Sequence, residues 1–256
     1  MKISASIVTY NSVSDVDGVI KDLMNSDCYP NIDIYVIDNC STDNTVQHIK
    51  SHFPSIKVVP NNINGGYGYG HNTVINWIDS DIHLIINPDI RFDGTLIRKI
   101  AEYLTNNDEV SMCTPEMILE SGEYVFPPKS QPKLHYIVGR YLKNVKMLSG
   151  WRDKYTMKNS VVNSNKSPFE IGFCSGAFMA IKTKYYKMVK GFDDRYFLYY
   201  EDADLTRKIS QYGKCMCVPT LLIVHEGKRE AYHSKRSRKT MISSMIKYFN
   251  KWGWEL

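Results

Sequence analysis

The stretch His83-Leu84-Ile85-Ile86-Asn87-Pro88-Asp89 constrains this chain more than any other. Three consecutive aliphatic residues bounded by polar ones predict a short strand buried on both faces, as in a parallel sheet. Pro88 then ends the ladder, because it has no N–H to donate. Asp89 follows just past the strand's carboxyl end, the edge where open α/β sheets bind ligands. Two readings stay open on this stretch alone. Asn-Pro-Asp makes a good turn. A carboxylate there is also a ligand for a hard cation such as Mg2+, which takes one or two carboxylates beside water and phosphate oxygens.

Ile3–Val8, Ile32–Ile37 and Ile56–Val59 read as three earlier strands, and Asp38 closes the second. A helix capped by Ser14 or Asp15 runs towards Met24, and another opens at Cys40-Ser41-Thr42-Asp43-Asn44 and runs through Ile49. Next comes Asn64-Gly65-Gly66-Tyr67-Gly68-Tyr69-Gly70-His71-Asn72, whose glycines let the backbone approach a ligand closely. A helix from Asn72 to Ile78 leads into the central strand. This alternation predicts an α/β fold with a mainly parallel central sheet flanked by helices and right-handed crossovers. It does not fit the dinucleotide fingerprint, which needs glycines directly after the first strand and an acid further on. Here that turn is Thr9-Tyr10-Asn11-Ser12-Val13, and Asp38 lies upstream of the glycines. Asp38 could accept an N–H from a pyrimidine base stacked beside Tyr10, or cap a helix.

Beyond Asp89, Thr95–Leu104 reads as a helix and Val110–Thr114 as a strand. The region 115–168, with Pro127, Pro128 and Pro132, is hard to read. It contains one stripe at helical spacing, Leu134, Val138, Tyr141, Val145 and Leu148, with Lys133, Arg140, Lys143 and Lys146 mostly off it. Such a helix packs on its own domain or lies on an anionic membrane. Phe169–Ile181 returns to strand character around Ser175-Gly176, and a helix over Ala180–Val189 ends at Gly191. Aromatic residues then lead into Glu201, Asp202 and Asp204 at a helix start. Acids in a first turn complement the helix dipole. A carboxylate beside aromatic walls is also desolvated and can act as a general base. Val218–Val224 is a last strand, with His225 at its end.

A chain of 256 residues, 43% hydrophobic and 23% charged, has the composition of one folded α/β domain. No apolar run approaches the roughly 18 residues that span a bilayer, and Met1-Lys2 passes straight into a strand pattern without a leader. A cytoplasmic protein is expected. Cys28, Cys40, Cys113 and Cys174 are scattered singly, and Cys215-Met216-Cys217 reads as strand filler in preference to a zinc clip. The net charge of +5 sits in the tail: Lys228–Leu256 carries eight Lys/Arg against two acids. Met241, Met245, Tyr248, Phe249 and Trp252 share one helical face there, suited to an anionic membrane surface, to the domain itself or to a homo-oligomer contact. No nucleic-acid-binding module is recognisable.

Taken in order, Tyr10-Asn11, Asp38, the Gly65–Asn72 loop, Asn87-Pro88-Asp89, Ser175-Gly176, Gly191-Phe192-Asp193, Glu201-Asp202 and His225 resemble the bacterial inverting glycosyltransferases of family 2, with the GT-A fold. The pattern is most similar to the rhamnosyltransferases of O-antigen and capsule assembly, and it covers residues 1–114 and 169–226. The resemblance implies one domain, 1–226, with a nucleotide-sugar half (1–114) and an acceptor half (115–226), then a basic amphipathic helical tail (227–256). It implies Thr9, Tyr10, Asn11 and Asp38 at the base of the nucleotide and Gly66, Gly70 and Asn72 lining it. Asn87, Ser175 and Gly176 would face the nucleotide sugar, and Asp89 with His225 would meet Mg2+ or Mn2+ at the diphosphate. Asp202, beside Glu201, would be the catalytic base. Many relatives have Asp-x-Asp where this chain has Asn87-Pro88-Asp89, so a single carboxylate is left for the metal.

The implied reaction moves rhamnose from dTDP-rhamnose to a lipid-linked saccharide, at the inner face of the plasma membrane. One rival is a transferase using a UDP-linked donor (galactofuranose, glucose or N-acetylglucosamine). Another is a non-catalytic nucleotide-sugar-binding subunit, against which the joint presence of Asp89, Glu201, Asp202 and His225 argues.

Overall fold

A computed structural model describes residues 1–123, 129–142, 145–157, 160, 164–226 and 235–254. Strands β1 (Ile3–Thr9), β2 (Ile32–Asp38) and β4 (Ile82–Ile86) are buried along their whole lengths apart from Asp33. Such strands need both faces of the sheet covered. Helix α1 (Val16–Met24) buries Val16, Val19, Ile20 and Leu23, and α4 (Leu96–Asn106) buries Leu96, Ile97, Ile100, Ala101 and Leu104, each a stripe at helical period. Along β2 and β4 the buried side chains alternate between two apolar clusters, one on each face.

The sheet order is β3 (Lys57–Pro60), β2, β1, β4, β8 (Phe178–Lys182), β6 (Val110–Leu119), β9 (Lys214–His225), β5 (Ile90–Arg91), with β7 (Phe169–Glu170) also on β9. The first four strands are mutually parallel, as are β6 and β9; β8 runs antiparallel between the two groups, and β5 and β7 are short antiparallel additions. The longest ladders are therefore parallel, as expected. The predicted boundary at 114/115 falls inside β6, which continues past Pro115 because a register shift between Pro115 and Glu116 absorbs the missing N–H. β9 begins earlier than expected and takes in Cys215 and Cys217 as buried positions. The strand expected over 169–181 divides into β7 and β8, with 171–177 as a connection, and α7 (Thr183–Met188) follows β8.

Helix α2 (Thr45–His52) lies where expected, but the next one does not. α3 spans Tyr67–Asn72, inside the glycine run, instead of Asn72–Ile78. Glycine in a helix costs about 1 kcal/mol relative to alanine, and tertiary packing overrides it here. A Cβ on Gly68 would lie 2.6 Å from Phe192 Cβ, and one on Gly70 2.7 Å from the Val8 methyls. The glycines let α3 press onto β1 and onto the Phe192 turn.

The second half adds α5 (Leu134–Tyr141), a 3₁₀ turn (Lys146–Leu148), α6 (Ser149–Tyr155), α8 (Glu201–Ile209) and α9 (Lys235–Trp252). Among the readings of the tail, α9 shows docking on the domain. Tyr248 and Phe249 are buried with Tyr196 and Ala203, and Met245 and Trp252 pack beside them. The Lys251 ammonium donates to Asp193 Oδ2 and Asp204 Oδ2, both at 2.8 Å, and Trp252 Nε1 donates to Asp204 Oδ1 at 2.7 Å. The apolar face expected to suit a membrane is thus turned inward, because its aromatic rings complete a cluster that α8 cannot close alone. Residues 227–234, Pro127, Pro128, Lys143 and the Arg140 and Tyr141 side chains lie outside those described. No described helix is long and apolar enough to cross a membrane.

Candidate active site

β4 delivers the Asn-Pro-Asp turn to the sheet's carboxyl edge, and β8 holds it there. Ile86 pairs with Phe178, and the Asn87 N–H donates to Ala177 O at 2.9 Å. The chain then folds back as β5, whose Ile90 pairs with His225 at the end of β9. This sets His225 Nε2 3.6 Å from Asp89 Oδ2, while the Glu226 N–H donates to Asp89 O at 2.9 Å. Asp89 Oδ1 is buried and has no hydrogen-bond partner among the described residues. Burial pushes the Asp89 pKa up, and the His225 charge pulls against it.

Asp202 arrives from the other end of the chain. Tyr199 and Tyr200 adopt positive φ (70° and 67°), a sharp reversal that starts α8 at Glu201. Left-handed backbone at bulky residues is rare and gathers at functional sites. Asp202 Oδ2 accepts the Gly176 N–H at 3.1 Å and Oδ1 accepts the Ala203 N–H at 2.9 Å. The Tyr67 hydroxyl donates to Gly176 O at 2.5 Å, so Gly176 is tied at both ends. The Tyr67 phenol is pushed well up, first by burial and then by the charges of Glu201, Asp202, Tyr186 and Asp89. One buried phenol therefore lies within electrostatic reach of carboxylates brought by β4 and α8, with the 175–177 connection hydrogen-bonded to both.

The adjacent carboxyls differ in what surrounds them. Glu201 is buried, its Oε2 lacks a hydrogen-bond partner, and burial with the neighbouring Asp202 charge drives its pKa well above 4.5. Burial raises Asp202 too, but the Gly176 N–H and the Lys129 charge oppose the rise. Burial thus raises both carboxyls, and hydrogen-bond donors and a nearby positive charge oppose the rise at Asp202.

Thr9, Tyr10, Asn11 and Asp38 gather at the carboxyl ends of β1 and β2. Asp38 accepts Thr9 Oγ1 (3.0 Å), Ser41 Oγ (2.5 Å) and the Ser41 N–H (2.8 Å), while Tyr10 beside it is 49% exposed. Asn11 takes positive φ and its amide oxygen accepts the Thr42 N–H at 2.9 Å. Asn39 links this group to the glycine helix by donating to Gly66 O at 2.9 Å.

Gly66 (φ +98°) would drive a Cβ into the Phe197 carbonyl, and the Tyr67 N–H donates to that same oxygen. Asn72 clasps the Phe192 backbone, accepting its N–H and donating to its carbonyl, both at 2.9 Å. Gly66, Gly70 and Asn72 thus contact the protein's own chain, whereas Asn87 and Asp202 hydrogen-bond to the 175–177 connection that holds Ser175 and Gly176, and His225 stands against Asp89. Sequence reasoning missed Tyr67, Asn39 and Lys129. A bulky ring set between Gly66 and Gly68 was a signal for the first. Lys129, whose backbone oxygen accepts the Gly172 and Phe173 N–H groups, lies in the segment with no readable pattern.

Comparisons with known proteins bear on the family and the fold. The family described as Glycosyl transferase family 2 matches residues 4–189. An N-acetylglucosaminyl-diphospho-decaprenol L-rhamnosyltransferase of Mycobacterium tuberculosis is 25% identical over 213 residues, covering 76% of this chain and 66% of that protein. Rhamnosyltransferase WbbL of Escherichia coli is 30% identical over 199 residues, covering 68% of this chain and 66% of that protein. The chain thus spans just under two thirds of the length of these curated relatives. Among solved structures, mannosyltransferase PcManGT from Pyrobaculum calidifontis, in complex with GDP-Man and Mn2+, superposes with a TM-score of 0.66 at 15% identity, over 97% of this chain and 64% of that one. S. aureus TarS in complex with UDP-GlcNAc superposes at 0.63 and 18% identity, over 98% of this chain and 67% of that one. At these identities the likeness is one of fold.

Proposed function

Since the chain belongs to glycosyl transferase family 2, we propose that it is an inverting transferase moving rhamnose from dTDP-rhamnose onto a lipid-linked saccharide. The observation that supports this reading is that the turn carrying Asp89 and the helix carrying Asp202 both hydrogen-bond to the 175–177 connection, with both carboxylates in electrostatic reach of Tyr67. The nucleotide base lies against Asp38 and Tyr10, and the diphosphate reaches towards Asp89. The metal reading fits the residues present. Asp89 offers a buried oxygen with no hydrogen-bond partner among the described residues, and His225 stands beside it. Among the described residues no group of three or more His, Cys, Asp or Glu gathers to hold an ion. That suits a hard cation, Mg2+ or Mn2+, drawing most of its oxygens from phosphate and water. When bound, it neutralises charge on the departing diphosphate. Asp202, the member of its pair held by the Gly176 and Ala203 N–H groups, takes the proton of the acceptor hydroxyl as that oxygen attacks the anomeric carbon opposite the leaving group. The lipid-linked acceptor is supported by the decaprenol-linked substrate named for the mycobacterial relative. It also places the enzyme's work at a membrane surface.

The test is a thermal-shift panel of dTDP-rhamnose against UDP-sugars, with and without Mn2+, run on the wild type and on Asp202→Asn. The variant keeps its fold and its donor shift while transfer falls about 10²–10⁴-fold. A shift with a UDP-sugar alone would replace the donor, and undiminished transfer by the variant would move the base elsewhere.

A further inference from the structure

Helices α5 and α6 form a hairpin through the 3₁₀ turn at Lys146–Leu148. It is well packed within. The His135 and Trp151 rings meet edge to face at 5.3 Å, and a Cβ on Gly139 would lie 3.2 Å from Trp151 Cβ. The Ser130 N–H ties its base down by donating to Tyr155 O at 2.9 Å. Its inner side inserts Ile137 among Tyr196, Ala203, Tyr248 and Phe249, one residue from Asp202. Its outer side is different in kind. Leu142, Val145 and Met147 all face solvent, with Met147 87% and Leu142 49% exposed. Apolar residues at the bend of a rigid hairpin gain nothing from solvent, and such patches mark contact surfaces. Within the described part of the hairpin the charge is one-sided: Lys133, Lys146, Arg152 and Lys154 against Asp153.

We infer that this hairpin is the surface by which the protein seats on an anionic membrane, its apolar bend entering the headgroup layer and its basic residues facing the lipid phosphates. The inference rests on the lipid-linked acceptor proposed above and says which surface meets that lipid. Charge selects the occupant. A second copy docking by two-fold symmetry would bring the same patch against itself, basic against basic. An anionic bilayer supplies the complement, and basic amphipathic segments bind it by this combination of buried apolar area and charge. The position also suits the chemistry, because the hairpin's Ile137 packs in the same cluster as Ala203, the neighbour of Asp202. The tail's aromatic face, already buried on the domain, is not available for this.

The experiment uses the full chain with sedimenting vesicles of phosphatidylethanolamine and phosphatidylglycerol, and with phosphatidylcholine vesicles as the neutral control. The wild type partitions onto the anionic vesicles, and salt weakens it. Leu142→Ser with Met147→Ser, both solvent-facing, lowers partitioning about tenfold or more. Ile242→Ser with Ile246→Ser, on the exposed side of α9, leaves it unchanged. The inference is overturned if the wild type stays in the supernatant, if the hairpin variant binds like the wild type, or if only the α9 variant loses binding. It is equally overturned if the hairpin substitutions instead convert a solution dimer to monomer. Donor thermal shift and transfer to a water-soluble acceptor are read on the same samples. Intact values without vesicle binding sink the hairpin alone, whereas their loss in the wild type sinks the transferase reading.

Discussion

Glu201 and Asp202 show how differently two neighbouring carboxyls can be held: Asp202 accepts the Gly176 and Ala203 N–H groups, whereas Glu201 Oε2 has no hydrogen-bond partner among the described residues. Both have pKa values raised in the folded protein, so each contributes stability that is complete below its ordinary value and is lost as pH rises through the folded one. Glu201→Gln removes that liability from the more strongly raised group. Its Tm relative to the wild type is therefore expected to improve steadily as pH rises above the ordinary glutamate value of 4.5. The acid limb of kcat/KM should stay where it is, above the ordinary aspartate value of 3.8, because the substitution leaves the Gly176 and Ala203 N–H groups on Asp202 untouched. A stability difference independent of pH would mean Glu201 carries no raised pKa. Tyr67 makes the complementary prediction. Tyr67→Phe frees the Gly176 carbonyl, at about 1–3 kcal/mol for an unsatisfied buried group, and loosens the N–H that steadies the Asp202 anion. The acid limb should move to higher pH along with a fall in kcat. A lower Tm with the limb unmoved would leave Tyr67 with packing alone.

At the scale of elements, α9 clamps the helix that carries the candidate base. Asp204, two residues past Asp202, is wholly buried and is satisfied by Lys251 and Trp252 from the end of the chain. Lys251→Met leaves that carboxylate with one N–H and with Lys208, 4.0 Å away. Breaking a buried pair typically costs about 3–5 kcal/mol, and the Lys208 ammonium sets the expectation at the lower end. Adding Asp204→Asn should restore part of the loss, and denaturant titration of the two single variants and the double reads the coupling directly. Equal, additive losses would show that the contact carries no coupling. Cutting away residues 235–256 would uncover the Tyr196 and Ala203 cluster, so this segment is a structural helix. α3 teaches the same lesson. Its glycines look like a ligand loop until their neighbours are known, and the neighbours are Val8, Phe192 and Phe197.

On the scale of the whole molecule, the proposed donor site would join two distant parts of one sheet edge, with Asp89 at its proposed diphosphate end. Asp89→Ala is expected to weaken donor binding in the presence of Mn2+ and to abolish the difference that a chelator makes in the wild type. A chelator effect that survives the substitution would put the metal on other ligands.

The parallel core was legible in the sequence, because strands buried on both faces must be continuously apolar. Ile3–Val8, Ile32–Ile37 and Leu84–Ile86 have nowhere else to go. Asp38 and Asp89 followed from it, since a polar residue ending such a strand has to stand at the carboxyl edge. The hairpin's charge was present in the sequence but cancelled in the total, which drew attention to the tail. What only the tertiary structure decided was juxtaposition: β8 entering antiparallel beside β4, the 171–177 connection lying against Asp202, Tyr67 holding Gly176, and α9 closing over α8. Periodicity records whether a residue is buried. It carries no record of which distant segment buries it, because pairing between separate segments depends on the complementarity of whole surfaces and not on the local order of residues.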